Sequence, residues 1–154
     1  MEQKTKVRAE EGRQDIIITR EFDLPVELVF RAHTEAGILA QWMGTKVIKL
    51  ESHKHGSWEF ETSGPQGSAF RMHGTIHDFV DNEKIVRTFE MDADGFDAQL
   101  EFLQFEKLTD ETSRLTIQSV YRSTEHRDRQ LKLPFAYGIN MAHDRLEDIA
   151  KQLI

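Results

Sequence analysis

Between residues 46 and 122 the sequence falls into six segments of alternating apolar and polar residues, and this feature restricts the possible folds more than any other. The segments are 46–53, 57–63, 68–80, 84–92, 96–108 and 113–122. Between them lie His55-Gly56, Gly64-Pro65-Gln66-Gly67, Asp81-Asn82, Asp94-Gly95 and Asp110-Glu111, each offering Gly, Pro, Asn or Asp for a chain reversal. A period of two sends successive side chains to opposite faces of a strand. One face then carries Trp58 and Phe60, then Phe70, Met72 and Ile76, then Ile85, Phe89 and Met91. It continues with Phe96, Leu100 and Phe102, and with Leu115, Ile117 and Tyr121. The other face carries Glu59, Glu61, Arg71, His77, Glu90, Glu101 and Gln118. Hairpin-linked strands that are apolar on one face and polar on the other make an antiparallel sheet wetted on one side.

The rest of the chain supplies what the apolar face needs. Residues 16–22 are rich in β-branched side chains, with Ile16, Ile18 and Phe22 on one face, so they form a first strand and bring the expected count to seven. Pro25 suits a helix's first turn, and Val26, Val29, Phe30 and His33 follow at helical spacing. Thr34 is placed to cap a second short helix carrying Ile38, Leu39 and Trp42, and Gly44 to end it. After Pro134, a stripe of Phe135, Ile139, Ala142, Leu146, Ile149 and Leu153 predicts a helix of about five turns lying across the sheet. Tyr137 and Met141 fall outside that stripe, so the helix's first half is apolar on two sides and implies an interior space beside it. The fold class is α+β. Residues 1–15 have almost nothing to bury and read as a charged, flexible leader to a single domain, 16–154.

Composition excludes whole classes of function. The chain has no Cys, which removes disulfides, thiolate metal sites and a cysteine nucleophile. Twenty Lys and Arg against 27 Asp and Glu give a net charge of −7, so no nucleic-acid partner is expected. No apolar run is long enough to span a membrane, and a cytoplasmic protein is expected. His53 and His55 sit in a turn, while His73 and His77 stand roughly 13 Å apart along a strand, too far to share one ion. No metal or cofactor is therefore expected. The acidic clusters at Asp78, Asp81 and Glu83 and at Glu90, Asp92, Asp94 and Asp97 lack calcium-loop spacing and read as solvated loop tips.

Four strings, DLPVELVFRAHTEAGILAQWMG, HGSWEF, HGTIHDFVDNEKIVRTFE and INMAHDRLEDIAKQL, resemble their counterparts in the bacterial START-like (SRPBCC) proteins related to the activator of the ninety-kilodalton heat-shock chaperone's ATPase. The resemblance spans residues 16–153. It implies the helix-grip fold, a curved antiparallel sheet wrapped round a long C-terminal helix, and a deep pocket between the two. Members of the wider superfamily include lipid carriers, hormone receptors and polyketide cyclases. This chain departs from the pattern at Trp42-Met43-Gly44-Thr45, where Trp-Trp-Gly-Pro is usual, and at Arg87, where an aromatic residue is common.

The expected pocket lining is Trp42, Trp58, Phe60, Met72, Arg87, Phe89, Phe102, Ile117, Tyr137 and Met141. Arg87 shares a face with Ile85, Phe89 and Met91, where a charge needs a partner: the polar end of a ligand, or a buried carboxylate such as one from the C-terminal helix. The leading reading is binding of a small hydrophobic, possibly anionic, ligand without catalysis. A rival reading makes the chain a co-chaperone-like interaction module whose acidic outer surface meets a chaperone or other basic protein. A third treats His73, Tyr137 and Arg87 as acid–base groups of a cyclase-like enzyme. Either a monomer or a homodimer is compatible with all three.

Overall fold

The computed structural model describes residues 3–63, 69–93, 96–132 and 134–154; the turns read at Gly64–Gly67 and Asp94-Gly95 lie outside them. Eight strands and four helices follow in the order β1 (Lys6–Arg8), β2 (Asp15–Phe22), α1 (Val26–Thr34), α2 (Ala36–Met43), β3 (Lys46–Leu50), β4 (Ser57–Ser63), β5 (Ala69–Val80), β6 (Lys84–Met91), β7 (Gln99–Lys107), β8 (Ser113–Val120), α3 (Thr124–Leu131) and α4 (Phe135–Lys151). They form one antiparallel sheet in the order β1-β2-β8-β7-β6-β5-β4-β3. Strands β2 and β8, far apart in sequence, pair over eight residues from Asp15↔Val120 to Phe22↔Ser113. This is the α+β helix-grip arrangement expected from the sequence, with eight strands in place of seven.

The additional strand comes from the segment read as a leader. Lys6, Val7 and Arg8 pair with Thr19, Ile18 and Ile17 at the free edge of β2. Thr5, just before β1, is buried. A three-residue strand has too little periodicity to stand out in a sequence, and what anchors it is polar.

Local chemistry sets the helix ends. Leu28 and Val29 donate to the carbonyl of Pro25, starting α1 at the proline. Gly44 ends α2 in the left-handed region at φ 61°, which a residue without Cβ enters freely. Thr34 does not cap α2: its hydroxyl turns back to the Phe30 carbonyl at 3.0 Å, and Glu35 takes the N-cap position without a side-chain bond. Ser123, by contrast, caps α3 by accepting from the His126 amide.

The core lies between the concave face of the sheet and helices α1, α2 and α4, and includes Ile16, Phe22, Phe30, Leu39, Trp58, Phe60, Leu103, Leu115 and Leu146. Strand β7 faces the opposite way from the sequence reading. Glu101, Leu103 and Phe105 are buried, and Leu100 and Phe102 face outward. The segment QLEFLQFEK carries apolar residues on both parities, and pairing decides between them. Leu103 lies between Ile85 and Ile117, both buried, which fixes its parity as the inner one.

Candidate functional site

Strands β4, β5 and β6 build an aromatic wall on the concave face. Trp58 and Phe60 project inward from β4, with ring centroids 4.7 Å apart, and Phe89 from β6 stands 5.5 Å from Trp58. Met72 is the cross-strand partner of both Phe60 and Met91, extending the wall along β5 and β6. Gly74 lies opposite Trp58, where a Cβ would collide with the Thr88 carbonyl oxygen and come within 2.9 Å of Trp58 Nε1. Glycine there makes room for the indole. Trp58 Nε1 is itself buried without a hydrogen-bond partner.

Arg87 points inward, as alternation along β6 requires, and its guanidinium carbon sits 5.1 Å from the Trp58 ring centroid. Its Nε donates to Glu101 Oε1 at 2.9 Å, directly across from it on β7. The second oxygen of Glu101 accepts from Gln99 Nε2 at 3.1 Å and Ser119 Oγ at 3.3 Å. Both side chains are largely buried, at 17% and 10% exposure, a placement that a paired charge tolerates and a lone one does not. The partner is therefore a carboxylate of the sheet rather than of the C-terminal helix. Burial, with the Glu101 charge nearby, pushes the Tyr121 phenol well above its usual range.

A second polar cluster joins β2, α4 and the N-terminal segment. Arg20 shares the inner face of β2 with Ile18 and Phe22 and is fully buried. Its Nη1 donates to Asp144 Oδ1 at 2.8 Å and to the Thr5 hydroxyl at 3.2 Å, and Glu147 stands 3.5 Å from Nη2. The same Thr5 hydroxyl shares a hydrogen bond with His143 Nδ1, 2.9 Å away. The Thr5 amide donates to Asn140 Oδ1 at 3.0 Å. Residues 140, 143 and 147, spaced by three and four, thus put a buried polar line beside the apolar stripe of α4.

Between the clusters lie two histidines held neutral. Burial pushes His33 down to about 4, opposed by the proton its Nδ1 gives the Val29 carbonyl at 2.8 Å and aided by the Arg87 charge. Burial likewise pushes His143 down to about 3, with His33 and Arg20 adding to the effect. Trp42 sits between their rings, tilted against both with centroids 5.2 and 6.3 Å away, and donates its indole proton to the Ala32 carbonyl at 2.7 Å.

The structure brings together five of the residues expected to line a pocket: Trp58, Phe60, Met72, Arg87 and Phe89. Trp42 and Ile117 are buried elsewhere on the same concave side. Phe102 is on the opposite face of the sheet, 39% exposed, for the reason of parity given above. Tyr137 and Met141 lie on α4 at 60% and 40% exposure. His73, Tyr137 and Arg87 do not form a catalytic trio. His73 projects from the outer face of β5, bonded to Asp92 at 2.8 Å, and Arg87 projects from the inner face of β6. His73, Glu90 and Asp92 offer donor atoms within 4.8 Å of one another, with Glu90 rather than His77 as the strand neighbour that brings His73 company. These three are partly exposed and already bonded in part to one another. The sequence reading missed Glu101, Ser119, Arg20 and His143. The parity of Arg87 against its β7 partner was the signal that could have located Glu101.

Comparison with known proteins agrees with this architecture. The family model described as Activator of Hsp90 ATPase homolog 1-like protein matches residues 23–151. No curated protein matches the chain. Among solved structures, protein Ms6760 from Mycobacterium smegmatis superposes with a TM-score of 0.85 at 17% identity, covering 97% of this chain and 99% of that one. A protein from Rhodobacter sphaeroides gives 0.84 at 19% identity, with 97% and 100% covered. One from Arthrobacter aurescens gives 0.86 at 16%, with 96% and 91% covered. At these identities the likeness is one of fold. Among the described residues no helix is long and apolar enough to cross a membrane.

Proposed function

Because the chain belongs to the Activator of Hsp90 ATPase homolog 1-like family, we propose that it binds a small hydrophobic molecule against the wall of Trp58, Phe60, Met72, Arg87 and Phe89. The observation that carries this reading is the rim of that wall: Phe70, Phe89 and Met91 on the concave face pack against the core yet keep part of their surface exposed, and Phe135 at the start of α4 does the same. Apolar surface left partly uncovered gains free energy when an apolar ligand covers it.

Arg87 sets the ligand's polar end. Glu101 already balances its charge, so a second carboxylate there meets Glu101's repulsion along with Arg87's attraction. A neutral acceptor, such as a carbonyl or hydroxyl oxygen, takes an Arg87 N–H without that cost. We therefore read the ligand as apolar with a neutral polar end, in preference to an anion.

A thermal-shift screen of long-chain fatty acids, the matching alcohols, aromatic polyketides and phenolics tests this. A ligand bound only by the native state raises the melting temperature by mass action. The alcohol of a matched pair is expected to shift the midpoint at least as far as the acid. If every class leaves the midpoint unchanged while a pull-down recovers a chaperone, the interaction-module reading replaces this one.

A further inference from the structure

The outer face of the sheet carries a plateau without charge. Ile17 and Thr19 of β2, Thr116, Gln118 and Val120 of β8, Leu100, Phe102 and Gln104 of β7, and Val86 and Thr88 of β6 share this face. None is ionisable, in a chain whose residues are 31% charged. Phe102 and Leu100 at its centre are 39% and 36% exposed. Four strands ~4.8 Å apart and about six residues of ~3.3 Å each give an uncharged plateau of roughly 400 Å², with Leu100 and Phe102 as its exposed apolar centre and Thr and Gln around them.

The strand register arranges this face in rows, and one row reads Arg8, Ile17, Gln118, Phe102, Val86, Asp78 across β1, β2, β8, β7, β6 and β5. It begins with a cation, ends with an anion, and is apolar or neutral between. From this pattern we infer that the outer face is a homodimer interface, with a second copy of the chain packed face to face about a two-fold axis running between β8 and β7, parallel to the strands.

That axis exchanges left and right and keeps position along the strand. Arg8 then meets Asp78 of the second copy, Ile17 meets Val86, and Gln118 meets Phe102. In the neighbouring row, Val120 meets Leu100. A two-fold axis across the strands would set Arg8 against Arg8 and Asp78 against Asp78, which repel. Each copy carries a net charge of −7, so a neutral plateau is where two copies approach with least repulsion. The two plateaus together bury about 800 Å², below the roughly 1,200 Å² at which stable interfaces begin and in the range of weak, transient ones, which sets the expected dimer in the micromolar range.

Sedimentation equilibrium of the full chain over a wide concentration range tests the inference, with far-UV circular dichroism confirming that each variant is folded. The wild type is expected to dimerise in the micromolar range. Phe102→Asp is expected to raise the dimer Kd by roughly 30-fold or more, as for an aromatic at the centre of an interface. Arg8→Asp is expected to weaken the dimer, and Arg8→Asp with Asp78→Arg to restore it. Asp78 is also held by Lys84 at 2.8 Å, so the Asp78→Arg single variant is measured alongside. A wild type that stays monomeric up to several hundred micromolar overturns the inference. So does a dimer whose Kd is unchanged in Phe102→Asp, or one that the charge exchange fails to restore.

Discussion

Thr5 ties three parts of the molecule together, and removing its hydroxyl tests how the N-terminal segment is held. The substitution Thr5→Val keeps the volume and the backbone bond from Thr5 to Asn140. It takes away the acceptor 3.2 Å from Arg20 Nη1 and the hydrogen-bond partner 2.9 Å from His143 Nδ1. Arg20 Nη1 keeps Asp144 at 2.8 Å, so most of the cost falls on His143, which is buried. A buried polar group left without its partner costs about 1–3 kcal/mol, so the expected loss is about 2 kcal/mol. For a chain of this length that lowers the melting temperature by roughly 4–8 °C. Deleting residues 1–8 also removes the β1 ladder, but it lets water reach Arg20, Asn140 and His143, so the deletion is expected to cost only a little more than Thr5→Val. Lys4→Ala, whose ammonium is mostly exposed beside Glu147, is expected to change stability by less than about 0.5 kcal/mol. Urea denaturation followed by tryptophan fluorescence measures all three. If Thr5→Val and the deletion both unfold at the wild-type midpoint, the polar anchor is not holding β1 and the argument fails.

The other expectations follow from the same interior. Arg87→Met strands Glu101 on the concave face and is expected to cost about 3 kcal/mol, and adding Glu101→Gln is expected to recover most of it; a stable single variant in urea melts would contradict the pairing. His33 and His143 titrate near 4 and 3 in the folded chain and near 6.5 when unfolded. Between about pH 4 and 6.5 the unfolded chain thus binds more protons, and stability falls as the pH drops by about 1.4 kcal/mol per unit for each histidine; urea midpoints that stay flat over this window would refute buried neutral rings. Gly74→Ala drives a methyl into the Thr88 carbonyl and the Trp58 indole and is expected to cost about 2–3 kcal/mol, with a changed Trp58 emission spectrum; an unchanged melting curve would show that the strands part there without strain.

The sheet was legible because a period of two over six segments leaves few alternatives, and Trp58, Phe60, Met72 and Phe89 all fall on the face that alternation assigned them. Strand β7 was misread because Leu100, Phe102, Leu103 and Phe105 occupy both parities, and only pairing with β6 and β8 chooses between them. The polar interior was out of reach for a different reason. Arg20, Asn140, His143 and Glu147 look like surface residues because burying any one alone is costly, and what makes their burial tolerable is mutual contact across more than 100 residues of sequence. Thr5 was invisible for the same reason. The stripe of α4 was read correctly from Phe135 through Ile139, Ala142 and Leu146 to Ile149, all packed in or against the core, but Leu153 lies beyond the helix and is exposed, and a buried polar line beside the stripe, at Asn140 and His143, meets Arg20.

The chain's five methionines allow the most direct test of ligand binding on the concave face. With methionine methyls isotopically labelled, NMR spectra are recorded while adding the strongest ligand from the thermal screen. Met72 and Met91, paired across β5 and β6 beside Trp58, are expected to shift saturably and to show contacts to the ligand, while Met43 at the end of α2 keeps its position. Saturable shifts that leave Met72 and Met91 untouched, or no saturable shift for any ligand, would contradict a binding site on this wall.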